Sequence, residues 1–124
     1  MKRKECYLAG ILAAAAAISL LSGCGGGTPS LEEALKKTAS YEQTSIPSPA
    51  SDSLGGEWTV IALARSGEEA EDGYYEKYRA NLEKRVKEQE GVLSENRYTE
   101  YARAVLACTA IGIDPTDIGG YDLK

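Results

Sequence analysis

The chain of 124 residues contains no histidine and only three cysteines, Cys6, Cys24 and Cys108. Without histidine, the usual imidazole-bearing zinc sites cannot be assembled from this chain alone. The apolar run that follows the first charges, residues 8–21, is also short. A bilayer core about 30 Å thick needs roughly 20 helical residues to cross, so 14 residues suit a secretory hydrophobic region better than a permanent span. Positive charge is scarce beyond the first few positions. Taking away Lys2, Arg3, Lys4 and Glu5 leaves 11 basic against 18 acidic side chains, a net charge of −7. A surface that acidic has no electrostatic footprint for nucleic acid, and none for holding anionic lipid through its own side chains.

What is present begins with a targeting signal. Three basic residues in the first four positions precede the apolar run, and Leu21, Ser22, Gly23 and Cys24 follow it. These four positions resemble the bacterial lipobox. The resemblance implies cleavage before Cys24, a diacylglyceryl group on its sulfur, and a protein held at the extracytoplasmic face of the membrane. Two acyl chains meet the requirement for stable anchoring, since one chain alone binds only marginally. Cys6 is discarded with residues 1–23, so Cys24 could pair only with Cys108. Cys108, within Val-Leu-Ala-Cys-Thr-Ala-Ile, reads as a small core hydrophobe. Residues 24–30 then hold the lipidated cysteine and a linker whose glycines and Thr28-Pro29-Ser30 favour a flexible spacer.

The folded part is expected over residues 31–124 and is expected to be all-α. Leu31, Ala34, Leu35, Thr38 and Ala39 recur at helical spacing, with Ser30 as N-cap and Glu32 and Glu33 in the first turn, where the helix dipole favours acids. Pro47 and Pro49 end that helix, because proline removes a donor and pushes its predecessor out of the α region. Residues 57–66 and 99–111 are apolar on nearly every side and are followed by Gly67 and Gly112, so both read as buried helices with a glycine at the C-terminal cap. Trp58, inside the first of them, reads as a core anchor. Between them, Tyr74, Tyr78, Leu82 and Val86 form a single i, i+4 stripe on an amphipathic helix, started by Asp72 and ended at Gly91.

A repeat underlies these helices. Val60-Ile61-Ala62 shifted by 45 places falls on Val105-Leu106-Ala107, Gly67 falls on Gly112 with the same shift, and Gly73-Tyr74 returns as Gly120-Tyr121 after 47. One apolar and one amphipathic helix per period of 45 to 47 predicts stacked helical hairpins.

Over residues 55–123, Gly-Gly-Glu-Trp-Thr-Val-Ile-Ala-Leu-Ala-Arg-Ser-Gly, Tyr-Tyr-Glu-Lys-Tyr, Tyr-Thr-Glu-Tyr-Ala-Arg-Ala-Val-Leu-Ala and Thr-Ala-Ile-Gly-Ile-Asp-Pro-Thr-Asp-Ile-Gly-Gly-Tyr-Asp-Leu resemble the α/α-toroid domains of the terpenoid cyclase and prenyltransferase superfamily, in its bacterial cell-surface branch. The resemblance implies an inner ring made of the apolar helices, an outer ring made of the amphipathic one, and an incomplete toroid, because only its first portion is matched. Catalysis does not follow from a fold. The D-x-D-D acid of squalene-type cyclases is absent, and the Asp-Cys-His zinc set of protein prenyltransferases cannot be built, so no catalytic residue, metal or cofactor is assigned. The nearest acidic string, Asp114-Pro115-Thr116-Asp117, reads as a helix cap with proline at the first helical position.

Glu57, Trp58, Glu100 and Tyr101 stand near the starts of the two apolar helices, with Tyr98, and form the candidate ligand site: two inward carboxylates for a cation or small polar ligand, beside aromatics at a cavity mouth. The chain is therefore expected to be a lipid-anchored, non-catalytic binding or interaction module. A chain or domain completing the toroid would cover the flank that carries Tyr101, Val105, Leu106, Cys108 and Ile111. The alternative is a truncated enzyme fragment of the same superfamily.

Overall fold

Four helices carry the described part of the chain: α1 (Leu31–Ser45), α2 (Gly56–Ser66), α3 (Tyr74–Glu88) and α4 (Tyr98–Ala110). They are seen in a computed structural model, which describes residues 27–53 and 55–124. The expected signal, the lipobox-like stretch and Cys24 lie outside the described residues. The chain divides into Met1–Ser30 and Leu31–Lys124, and every buried core side chain among the described residues belongs to the second unit. The protein is all-α: among the described residues the sole β feature is an isolated bridge between Ile118 and Tyr121.

The helix ends follow local chemistry. α1 stops at Ser45, and Ile46 N–H still donates back to the Glu42 carbonyl at 2.9 Å before Pro47 forbids another turn. The proline-rich segment that follows runs beside α3 and has its carbonyls met there. Tyr74 Oη donates to the Ile46 carbonyl at 2.8 Å, Asn81 Nδ2 to that of Pro49 at 2.9 Å, and Arg85 Nη1 to that of Ser51 at 3.0 Å. A loop with no ladder of its own is thus satisfied by side chains spaced along one helix. α3 ends two residues before the expected Glu90. Gly91, at φ 86°, sends its N–H to the Val86 carbonyl at 2.8 Å, a closure that a left-handed residue permits. A Cβ on Gly91 would also lie 2.5 Å from Cδ1 of Tyr121. At the other end Asp72 does not cap: Gly73 occupies that position and no side-chain bond closes it.

The distribution of burial inverts the sequence expectation. The amphipathic helix α3 is the centre of the core, with Tyr74, Tyr78, Leu82 and Val86 all buried. α2 and α4, apolar almost all round, leave Trp58 56% and Leu106 54% exposed. The reason is geometric. A helix with one narrow stripe can sink all of it at once, whereas a helix apolar on every side needs neighbours on every side. α2 packs against α4 and α1, and neither neighbour covers the side bearing Trp58. Trp58 is accordingly not a core anchor. We expect Trp58→Ala to change stability by under about 1 kcal/mol, as for an exposed site, against the 3 to 5 kcal/mol of a core tryptophan. Its emission in the native protein should be red-shifted and readily quenched. A blue-shifted, quencher-resistant band would place it inside.

Burial also corrects the repeat. Gly56, Val60 and Leu63 are buried on α2, and Glu100, Ala104 and Ala107 are buried on α4, an offset of 44 rather than 45. With that offset the exposed Trp58, Ala62 and Arg65 correspond to the exposed Ala102, Leu106 and Thr109.

The C-terminal segment departs most from expectation. No helix begins at Asp114: its Oδ1 accepts from Thr116 N–H at 2.9 Å and Thr116 Oγ1 at 2.8 Å, which closes an Asx-turn and holds the Asp114 carboxyl below the usual range. The chain then reverses at Gly119 and Gly120, with φ 64° and 93°, the positive pair that a two-residue type I′ turn requires. Leu123 N–H donates to the Pro115 carbonyl at 3.0 Å, and the side chains of Ile118 and Leu123 are buried in the core. Residues 113–124 are a clasp and not the opening of another hairpin. Of the flank expected to lie open, Cys108 is buried, Tyr101, Val105 and Ile111 are half-buried, and Leu106 alone is exposed.

Candidate functional site

The candidate residues separate into an inner polar cluster and an outer apolar face. The inner cluster forms where α2 and α4 begin, because the first turns of both carry a glutamate. Glu57 is 2% exposed and Glu100 5%. Arg85 reaches Glu100 from α3 and uses all three of its nitrogens. Nη1 pairs with Asp52 Oδ2 at 3.0 Å and donates to the Ser51 carbonyl at 3.0 Å. Nη2 meets Glu100 Oε2 at 3.3 Å and the Leu93 carbonyl at 3.4 Å, and Nε donates to Gln89 Oε1 at 3.2 Å. Glu100 takes a second arginine, Arg97 Nη2, at 2.8 Å on its other oxygen. Asp52, held at φ 67°, donates its N–H to Glu57 Oε1 at 3.3 Å.

This arrangement does not suit the cation that sequence reasoning assigned to the two carboxylates. Structure brings Glu57 and Glu100 together, but Arg85 and Arg97 already neutralise Glu100, and Arg103 acts on Glu57. A charge placed there would meet guanidinium groups before carboxylates. Tyr101 belongs to neither a cavity nor a mouth: its hydroxyl accepts from Leu93 N–H at 3.0 Å and faces the Gly91 carbonyl at 3.5 Å, tying the α3–α4 loop to α4. Trp58 and Tyr98 point outward. Among the described residues no three acidic or cysteine side chains gather as metal ligands.

Burial pushes the Glu57 carboxyl above its ordinary value of 4.5. Its own backbone N–H and the Arg103 charge offset part of that, and the Glu100 charge adds to it. An acid raised on folding contributes stability that is fully present below 4.5 and lost as pH rises through its folded-state value. Glu57→Gln keeps an acceptor for Asp52 and removes the buried charge. We expect the variant to have a higher urea midpoint than the parent at pH 7, with the difference closing by about pH 4. Equal midpoints at both pH values would contradict the assignment. Burial likewise pushes the Cys108 thiol up to about 11, so it is a core side chain and not a nucleophile at neutral pH.

The outer face was only partly legible from sequence: Leu106 was expected on an open flank of α4, but its pairing with an exposed Trp58 on α2 was not. Trp58, Ile61 and Arg65 of α2 and Leu106, Thr109 and Ala110 of α4 line one shallow groove of about 220 Å³. Two helices packed side by side supply its walls, and their common 44-residue register supplies its length. A second apolar groove, of about 280 Å³, lies between α1 and α2 and includes Leu35, Ala39, Leu63 and Arg65. The face between α2 and α4 holds no carboxylate, in a chain of 19 acidic residues against 14 basic ones. Its chemistry suits the burial of another apolar surface. Scans against protein-family models, curated proteins and solved structures find no match to this chain.

Proposed function

We propose that the chain is a lipid-anchored interaction module of the extracytoplasmic face, held by Cys24 and presenting the uncovered side of α2 and α4 to another protein. The observation that carries the reading is the pairing of Trp58 and Leu106, both more than half exposed, over one groove between packed helices. Large apolar side chains placed together in water mark a surface that a partner covers. The resemblance to an incomplete α/α toroid fits the same reading, with α2 and α4 as inner helices lacking a neighbour. The lipobox-like Leu21-Ser22-Gly23-Cys24 supports the anchoring half of it.

Each half has its own test. Mass spectrometry of the N-terminal peptide from membrane fractions should show an acyl-modified Cys24, and Cys24→Ala should leave the protein unprocessed or released. An unmodified Cys24 peptide from membranes would end the anchoring claim. For the exported unit, analytical ultracentrifugation with a dye that reports apolar surface should show dye binding. Its absence from a cooperatively melting monomer would mean that the four helices close on themselves and present no face.

A further inference from the structure

The partner can be specified further, on the reading that the α2/α4 face is a docking surface. Along α2, Trp58, Ala62 and Arg65 stand exposed at i, i+4 and i+7, and along α4, Ala102, Leu106 and Thr109 do the same. Both helices begin at the same end of the unit, since Arg85 spans from Asp52 just before α2 to Glu100 in the first turn of α4. The exposed stripes therefore run alongside each other for seven residues, or about 10 Å at 1.5 Å per residue. Two side-by-side helical ridges with an apolar groove between them are the shape into which a third helix packs.

Charge narrows the choice of helix. Arg65 is the one ionic group among these six residues, and no ion pair holds it among the described residues. Glu57 and Glu100 stand at the opposite ends of their helices, and Glu42, which shares the α1/α2 groove with Arg65, accepts from Thr59 Oγ1 at 3.2 Å and makes no ion pair with it. A second copy docked face to face would bring the same acid-free surface against Arg65, and the net charge of −7 left without residues 1–23 adds mutual repulsion. A lipid surface is disfavoured too, because recognition of anionic lipid takes about four to eight clustered cations, not one. We propose that the face receives an amphipathic helix from a different polypeptide, with small or aliphatic side chains in the groove and a carboxylate set against Arg65.

The chain's sole tryptophan, Trp58, reports the event directly. The probes are two synthetic helical peptides of about sixteen residues, enough to span the stripe. They share one leucine and alanine face and carry either glutamates or lysines beside it. Titrated into the exported unit Leu31–Lys124, which holds its own core, the glutamate peptide should shift Trp58 emission to the blue and bind about tenfold more tightly than the lysine peptide. Arg65→Glu, an exposed change, should reverse that preference, and Leu106→Glu should weaken both peptides. Equal binding of both peptides, or an unchanged preference in Arg65→Glu, overturns the acidic partner while leaving a docking face standing. Dimerisation at micromolar concentration, or a blue shift produced by phosphatidylglycerol vesicles in place of the peptides, overturns it in favour of those occupants. Failure of both peptides together with absence of dye binding removes the docking face itself.

Discussion

Replacing Arg85 by methionine is expected to lower the stability of the unit by about 3 kcal/mol, the lower end of the range for breaking a buried ion pair from one side. The substitution keeps an aliphatic stem but deletes four hydrogen bonds and the ion pair with Asp52, and leaves Glu100, 5% exposed, facing the interior with Arg97 as its remaining cation. It also frees the Ser51 and Leu93 carbonyls and the Asp52 carboxylate, so the loops before α2 and before α4 lose their common tie. Arg85→Lys, which retains charge with fewer donors in a different geometry, should fall between the two. Adding Glu100→Gln to Arg85→Met should recover part of the loss, because the uncompensated charge goes with it. Urea denaturation measures all four proteins. A midpoint for Arg85→Met within error of the parent would show that the hub is incidental.

Removal of residues 118–124 should be at least as damaging. Two fully buried aliphatic side chains, Ile118 and Leu123, leave with that segment, and each is worth about 1.5 to 3 kcal/mol of burial. The ring of Tyr121 against Gly91 and the hydrogen bond from Leu123 to Pro115 go too. A loss of about 4 kcal/mol is a large share of what a unit of this size commonly has, roughly 0.05 to 0.15 kcal/mol per residue, so the shortened protein should be largely unfolded or molten by circular dichroism and dye binding. Restoring only the apolar contribution, with Asp122 and Lys124 changed to alanine in the full-length segment, should leave stability close to the parent. A shortened protein that melts at the parental temperature would show that the clasp contributes nothing.

The helices themselves were legible because each signal was local. Periodicity placed α1 to α4 within two residues at each end, and the glycines after Ser66, Glu90 and Ile111 marked real left-handed closures. What escaped was whatever depended on neighbours. A helix such as Glu-Trp-Thr-Val-Ile-Ala-Leu-Ala-Arg does not state which side lacks a partner, so Trp58 read as interior and Leu106 as one residue of a broad flank. The repeat was found by matching letters at 45, whereas burial repeats at 44, and one residue on a helix turns a side chain by about 100°. Arg85 drew no reading from sequence because its partners lie as far as 34 positions away in the chain. Asp114-Pro115-Thr116-Asp117 was ambiguous in kind: an aspartate accepting from the N–H two residues on serves an Asx-turn as well as a helix cap. The candidate ligand site failed for a related reason. Two acids at equivalent helix starts suggested a shared ligand, and the arginines that meet them come from α3, from α4 and from the residue just before α4, at positions no spacing rule singles out.

The unequal seating of the helices sets an order of opening. α3 has its whole stripe under cover and is bonded along its length to the segment before α2, whereas α1 buries little beyond Ala39 and Gln43. Amide protons of α1 should therefore exchange with deuterium through a partial opening that leaves the rest intact, while those near Tyr78 and Leu82 wait for global unfolding. On that scale α1 is the helix most readily detached, and opening would begin at Leu31 and reach the centre of α3 last.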